Sequence, residues 1–190
     1  MNRTAGDLIR LARTGRGLSQ RALADRAGIA QPNIAAIESH GRDATVGTTD
    51  RLVTAAGSRI TVLPTRSPTA ADIGARVAQQ LQARRPERAY RAVLGLHDSL
   101  TSAEPALRVA LVVTPPTPTG DRRWDALLAA VVAHDLVGLP LPSWVRDPER
   151  RADGWFVDDV PELRDRTRQR TPPAFRRRGV FIDPAELESV

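Results

Sequence analysis

Two side-chain amides, Gln31 and Asn33, follow a glycine-containing turn and lie two residues apart. The apolar spacing predicts that both lie in the exposed first turn of a short helix, about Gln31 to Ser39. Pro32 fits that first turn because the N–H it lacks would have no helical partner there. A side-chain amide can form two hydrogen bonds with the edge of adenine in the major groove of DNA. The chemistry that these two residues favour is therefore contact with base edges.

The preceding segment predicts a second short helix that positions the amides. Ser19 can cap a helix from Gln20 to Ala27, and Gly28 can adopt the backbone conformation that a tight turn requires. The small side chains of Ala24 and Ala27 allow the two helix axes to approach closely. The residues predicted to pack between the helices are Ala22, Leu23, Ile29, Ile34 and Ile37. Two short helices joined by a glycine turn indicate a helix-turn-helix.

From Leu18 to Glu38 the sequence is LSQRALADRAGIAQPNIAAIE. It resembles the Cro/Xre family of phage-repressor-like DNA-binding domains, which begin with L-S-Q-x-x-L-A and continue through G-[IV]-x-Q-x-x-[IV] to I-E. The resemblance covers about residues 5–63 and implies that the helix from Gln31 is the recognition helix. The implied base contacts are Gln31, Asn33 and Ala36, and the implied phosphate contact is Gln20. Family members usually have a hydroxyl residue at position 30 and often a basic residue at position 36, where this chain has alanine.

Charge is distributed unevenly along the chain. All 28 basic residues are arginine, and the net charge is +6. Residues 1–66 contain 10 arginines and 5 acidic residues, whereas the rest of the chain contains 18 arginines and 17 acidic residues. The arginines expected to neutralise phosphates are Arg16, Arg21, Arg42 and Arg51. The excess charge and the amide pair favour double-stranded DNA as the partner, and a domain reused for protein contact is the alternative.

Two domains are predicted, with a boundary in a proline-containing segment. The first, residues 1–63, has two further helices, one around residues 8–12 after a Thr4 cap and one at about 48–56. It ends in a predicted strand, residues 58–63, for which a symmetry-related copy is one candidate partner. Residues 64–70 are a predicted linker. All seven aromatic residues lie beyond it, so the two domains are expected to have different cores.

The second domain, residues 71–190, is predicted to be mostly helical, which makes the fold class of the whole chain mainly α with one or two short strands. The expected helices span about residues 72–84, 87–100, 104–113, 121–137 and 161–171. A strand is expected over residues 175–183, and a last helical turn over 184–189.

The end of the chain is rich in arginine and aromatic residues. Residues 164–178 contain seven arginines and one acidic residue, and they resemble the arginine-rich ends of bacterial antitoxins. The predicted partner-binding residues are Trp144, Trp155, Phe156, Phe175, Arg176, Arg177 and Arg178. The alternatives are a small aromatic core and a solvated or second DNA-contacting basic surface. The leading hypothesis is a homodimeric, antitoxin-like autorepressor that also binds a cognate toxin or another protein.

Other function classes have less support in the sequence. The chain has no cysteine, and its three histidines are scattered, so no metal and no cofactor are predicted. No nucleophile, base and orienting residue form a recognisable set, so the chain is not expected to be an enzyme. Arg91 and His97 match a loose spacing found in some helical RNases, which arginine-rich composition produces often by chance. An RNA-processing enzyme and a ligand-sensing regulator remain alternatives. With no long apolar run, a bacterial cytoplasmic, nucleoid-associated protein is expected.

Overall fold

The computed structural model describes residues 4–188. These residues divide into two compact units, with the boundary between Pro64 and Thr65. Both units are mainly helical, which confirms the expected fold class. The boundary falls at the start of the predicted linker, and the first helix of the second unit begins at Ala70.

The first unit contains four helices in the part of the chain that the structure describes. They are α1 (Ala5–Thr14), α2 (Gln20–Ala27), α3 (Gln31–Glu38) and α4 (Val46–Ala55). Thr4, Ser19 and Thr45 cap α1, α2 and α4, because each side-chain oxygen accepts a backbone N–H three residues later. Ala30, which precedes α3, provides no side-chain cap.

The turn between α2 and α3 follows from Gly28. Its φ of 63° lies in the left-handed region, which glycine adopts without the steric cost of a Cβ. The N–H of Ile29 donates to the carbonyl of Ala24 at 3.1 Å, which closes the end of α2. The sequence therefore sets both the end of α2 and the start of α3.

One large apolar side chain from each helix is fully buried in the first unit: Ile9, Leu23, Ile34 and Leu52. Burial of a side chain of this size stabilises the folded state by about 1.5–3 kcal/mol. The residues predicted to pack between α2 and α3 are buried or half-buried, which confirms their place in the core.

Residues 58–63 form no strand within the single chain, and the predicted pairing with a symmetry-related copy stays a prediction. The alternation of polar and apolar residues suits a strand, but a strand needs a neighbour for its backbone hydrogen bonds. The side chains of Ile60 and Val62 are 42% and 91% exposed. The segment therefore has neither a partner strand nor a packed apolar face within the described residues.

The second unit is built around one buried helix. Its helices are α5 (Ala70–Gln82), α6 (Pro86–Ser102), α7 (Pro105–Val112), α8 (Arg122–Asp135), α9 (Arg164–Arg170) and α10 (Pro173–Arg176). Every residue from 124 to 133 in α8 is buried. Helices α5, α6 and α10 pack against α8. A helix that is covered in this way is hydrophobic around most of its circumference.

The end of the second unit differs from its prediction. The strand expected from residue 175 is instead the helix α10, followed by β2 (Val180–Phe181). Pro173 explains the difference, because proline is favoured in the first turn of a helix. Strand β2 pairs in parallel with β1 (Trp155–Phe156), and the carbonyl of Gly179 accepts the N–H of Trp155 at 2.8 Å. Of the expected last turn, residues 184–187 form a 3₁₀ helix, and Ser189 lies outside the described residues.

Most of the residues predicted to bind a partner have internal roles instead. Phe175 is fully buried, Trp144 is 7% exposed and Phe156 is 9% exposed, which corrects their assignment to a partner-binding surface. Arg178 donates to the carbonyl oxygens of Ala174 and Val145. These aromatic side chains build the core of the unit, because removing such large apolar areas from water stabilises the fold.

Arg176 is exposed, and its guanidinium donates to three backbone carbonyl oxygens around the end of α9. Carbonyls at the end of a helix have no helical partner, and the guanidinium supplies one. Arg177 is exposed and Trp155 is half-buried.

No helix among residues 4–188 has the length and apolarity to cross a membrane.

Candidate nucleic-acid interface

The two predicted amides lie together at the start of α3. The side chain of Asn33 is exposed, that of Gln31 is half-buried, and Ala36 follows one turn later, also half-buried. The Nε2 of Gln31 donates to the Oε1 of Gln20 at 2.9 Å. This bond fixes the orientation of the Gln31 amide, whose carbonyl oxygen and other N–H are the groups suited to a base edge.

Gln20 in turn is held by a carboxylate in the interior. Its Nε2 donates to the Oε2 of Glu38 at 2.9 Å. The side chain of Gln20 therefore connects Glu38 to Gln31, rather than extending alone towards a phosphate. The backbone N–H groups at the start of α2 remain the part of this helix suited to an anion.

Glu38 is buried, with 1% of its surface exposed, and it forms the centre of a charged network. The guanidinium of Arg13 donates to both carboxylate oxygens, at 2.7 and 2.8 Å. Arg10 also donates to the backbone carbonyl of Glu38. Burial acts to raise the pKa of Glu38, but the hydrogen bonds from Arg13 and Gln20 outweigh it and hold the pKa below its ordinary value.

Arg13 and Glu38 were not identified as functional residues from the sequence. Glu38 lies one helical turn after Ile34, at a spacing that places it on the buried face of α3. A carboxylate at such a position requires a partner, because an unpaired buried charge is strongly destabilising. That spacing is the signal that could have revealed the network.

The predicted phosphate-binding arginines differ in their surroundings. Arg21, Arg42 and Arg51 are exposed on the first unit. Arg16 is also exposed, but its guanidinium donates to the carbonyl of Gly57 at 2.9 Å and ties the end of α1 to the end of α4. The Nη1 of Arg42 lies 3.5 Å from the Oδ1 of Asn33, so Arg42 is close to a candidate base-contacting side chain.

A groove of about 370 Å³ lies beside the start of α3 and collects several of these groups. Asn33, Arg42 and Arg51 line it, together with the hydroxyls of Thr45 and Thr48. Hydroxyl and guanidinium groups are the usual donors to DNA phosphates. The structure thus places two of the predicted arginines next to one predicted amide.

A second cleft also borders the start of α3. Gln20, Arg21 and Gln31 line it, together with the acidic side chain of Asp25. The first groove likewise contains one acidic residue, Asp43. The two clefts together contain three arginines, Arg21, Arg42 and Arg51, and two aspartates, Asp25 and Asp43. This face therefore has a net positive charge, which favours contact with a phosphate backbone.

In the second unit, His97 pairs with a buried carboxylate. Its Nδ1 lies 2.9 Å from the Oδ1 of Asp135, whose backbone carbonyl accepts a hydrogen bond from Arg108. The ring of His134 stacks at 6.3 Å from that of His97. The hydrogen bond to Asp135 raises the pKa of His97 above its ordinary value, although burial opposes it. The described residues contain no group of acidic and histidine side chains that could hold a metal.

We expect the second unit to lose stability as the pH rises through the folded-state pKa of His97. A raised pKa means that the stabilisation is complete below the unfolded value, about 6.5, and disappears above the folded one. The loss should not exceed about 1.5–3 kcal/mol, the contribution of one hydrogen bond to a charged group. Tryptophan fluorescence in urea titrations from pH 5.5 to 8.5 reports this unit, because all three tryptophans belong to it.

The variant His97→Gln should flatten this pH dependence. The matched control is His40→Gln in the first unit, where His40 lies 3.2 Å from Asp7. That control should leave the tryptophan-detected profile unchanged. A profile as steep in His97→Gln as in the wild type would contradict the assignment.

Comparison with known families agrees with the geometry of the first unit. A family model described as helix-turn-helix matches residues 9–63. This confirms the Cro/Xre resemblance for these residues and supports a DNA-binding regulator of transcription. Searches of curated proteins and of solved structures found no match. The resemblance of residues 164–178 to antitoxin ends has no such support.

Proposed function

We propose that the protein is a sequence-specific DNA-binding regulator in which α3 enters the major groove and contacts base edges. The observation that supports this best is the chain of hydrogen bonds from Arg13 through Glu38 and Gln20 to Gln31. It holds one amide in a fixed orientation at the start of a helix. A preorganised amide loses less conformational entropy when it binds a base, which favours a role in recognition.

In this proposal the remaining side chains divide into two groups. Gln31, Asn33 and the surface at Ala36 determine which sequence is bound. The exposed arginines Arg21, Arg42 and Arg51 bind phosphates and contribute affinity without specificity, as do the backbone N–H groups at Gln20. Arg16 contributes less, because its guanidinium already binds Gly57.

The double variant Gln31→Ala with Asn33→Ala is expected to lose sequence preference. Duplexes enriched from a random pool by the wild-type protein supply the specific site, and a scrambled duplex supplies the reference. The ratio of the two affinities should fall about 10- to 100-fold, since one bidentate contact accounts for about 1–3 kcal/mol of discrimination. Gel shifts at constant salt measure both affinities.

Two controls separate loss of recognition from loss of folding. Gln79→Ala with Gln82→Ala removes two exposed amides of α5 in the second unit and should leave the ratio unchanged. Arg51→Ala should weaken binding to both duplexes equally and reduce the slope of log K against log salt by about 1. Unchanged preference in the Gln31 and Asn33 variant would reject α3 as the recognition helix.

The finer proposal is that the regulator acts as a homodimer and an antitoxin-like autorepressor. Its support is the two-unit build, with Arg177 exposed and Trp155 half-exposed for contact with a toxin or another protein. Light scattering measures the dimer, and gel shifts with the region upstream of its own gene test autorepression. Co-purification with the product of the adjacent gene tests the partner. Isolation of the protein without that product would contradict the antitoxin role.

We also propose that the second unit binds rather than catalyses. The ion pair between His97 and Asp135, packed beside His134, supports a stabilising role for this histidine. Hydrolysis of RNA by the purified protein, abolished by His97→Gln, would contradict this and favour an RNA-processing enzyme.

A further inference from the structure

The second unit contains a cavity that the DNA-binding proposal does not use. Its volume is about 860 Å³, within the range of about 300–1,000 Å³ that is typical of small-molecule sites. Residues from α6, α8, β1 and the 3₁₀ helix Pro184–Leu187 line it. It therefore lies between several elements of one compact unit.

The walls of this cavity combine aromatic and acidic side chains. Tyr90, Trp124 and Trp155 contribute rings, and the two indole rings lie 5.6 Å apart at an angle of 46°. The lining carboxylates are Glu87, Asp98, Asp158, Glu186 and Glu188, and Arg91 is the basic residue among the lining side chains that the structure describes. Five acids against one arginine give the cavity a strongly negative balance.

Two groups in the wall, Tyr90 and Glu186, have raised pKa values. Burial raises the pKa of Glu186, the hydrogen bond from the backbone N–H of Asp183 opposes this, and the charges of Asp158 and Asp183 add to the rise. Burial likewise raises the pKa of Tyr90, and the charges of Glu186 and Asp158 add to the effect. Burial is the main cause in both groups, and the smaller contribution from the neighbouring carboxylates is the part that reflects a negative potential.

The aromatic rings favour positive charge as well. The guanidinium of Arg123 lies 5.8 Å from the centre of the Trp155 ring, which shows that this ring can accept a cation. Arg123 itself is paired with Asp121 at 2.7 Å, so it does not neutralise the carboxylates of the cavity. Aromatic faces beside carboxylates are the combination that recognises organic cations.

We propose that this cavity binds a small organic cation, specifically an amine that has an aromatic or apolar group. The apolar part packs between Tyr90, Trp124 and Trp155, while the ammonium group faces Asp158 and Glu186. The site is separate from the recognition helix and does not depend on the DNA-binding proposal.

Three phenyl compounds of similar size and different charge test the proposal on the full chain without DNA. Isothermal titration calorimetry at pH 7 compares 2-phenylethylamine, 2-phenylethanol and phenylacetate. The expected order of affinity is amine, then alcohol, then acid, with the amine binding at least tenfold more tightly than the alcohol. An amine that binds no better than the alcohol, or not at all at millimolar concentration, would overturn the proposal.

Variants that remove one negative charge test which carboxylates cause the preference for the amine. In Glu186→Gln the amide can still accept the N–H of Asp183, a 3.0 Å bond that caps the 3₁₀ helix, so the local structure should persist. This variant should weaken binding of the amine at least fivefold and change binding of the alcohol less than twofold. Asp158→Asn should act in the same direction and serves as the second variant if Glu186→Gln unfolds.

The matched control is Glu162→Gln, an exposed carboxylate outside the cavity lining. It should leave all three affinities unchanged. Trp155→Ala should weaken both the amine and the alcohol, since it removes aromatic surface and not charge. Equal affinity of the amine for the wild type, Glu186→Gln and Asp158→Asn would overturn the assignment even if the amine binds.

Discussion

Replacing Arg13 by alanine should lower the free energy of unfolding of the first unit by about 3–5 kcal/mol. The variant leaves the Glu38 carboxylate buried without its main partner, and removal of one member of a buried ion pair has a cost of this size. Stabilities of small domains are about 5–15 kcal/mol, so much of the first unit would unfold at moderate temperature.

The effect can be measured separately in the two units. Residues 1–66 contain no aromatic side chain, so tryptophan fluorescence follows the second unit alone. Hydrogen exchange of the amides in α1 to α4 follows the first. Arg13→Ala should accelerate exchange in the first unit and leave the fluorescence transition in place. Arg26→Ala removes an exposed arginine of α2 and should change neither by more than about 0.5 kcal/mol.

The pH dependence of this variant has a definite sign. In the wild type the pKa of Glu38 is lowered, so its ion pair stabilises the fold above the unfolded pKa, and this stabilisation is lost as the pH falls through the folded value. Without Arg13, burial is opposed by fewer hydrogen bonds, and protonation of Glu38 becomes easier. The difference between wild type and Arg13→Ala should therefore shrink at acidic pH. A constant or growing difference would contradict the role of Glu38.

The same network explains what could and could not be predicted of the candidate site. Gln31 and Asn33 could be placed because their surroundings are local: Ser19 caps α2 and Gly28 ends it. The hydrogen-bonded connection from Gln31 to Arg13 could not be predicted, because it joins residues that are far apart in the sequence. The bond between Arg13 and Glu38 spans 25 positions, and only the packing of α1 against α3 brings them together.

The differences between prediction and structure at residues 58–63, Trp144 and Phe175 have a similar cause. The alternation at residues 58–63 is compatible with a strand, but no local signal shows whether a neighbouring strand exists. Phe175 and Trp144 lie in a segment poor in other apolar residues, where the apolar neighbours that bury them come from distant helices. The indole Nε1 of Trp144 donates to the carbonyl of Val112 at 2.8 Å, a contact that no local pattern indicates.

The close approach of α1 to α3 leads to a second prediction of large effect. A Cβ added to Gly6, the second residue of α1, would overlap the backbone carbonyl oxygen of Ile37 in α3. Backbone atoms cannot rotate away as a flexible side chain can. Gly6→Ala should therefore separate the two helices and lower the free energy of unfolding of the first unit by about 3 kcal/mol. Chemical denaturation followed by far-ultraviolet circular dichroism, together with hydrogen exchange in α1 and α3, measures the loss.

Gly47 provides a matched control, because it is the second residue of α4 and a Cβ there meets no atom within 4 Å. Gly47→Ala should increase stability by up to about 1 kcal/mol, since alanine restricts the unfolded chain and favours helix. The two variants thus make the same chemical change at the same helical position with opposite expected signs. Since α1 contributes Arg13 to the network that orients Gln31, Gly6→Ala should also reduce DNA sequence preference, whereas Gly47→Ala should retain it. Equal stability of the two variants would show that α1 and α3 do not approach as closely as the geometry requires.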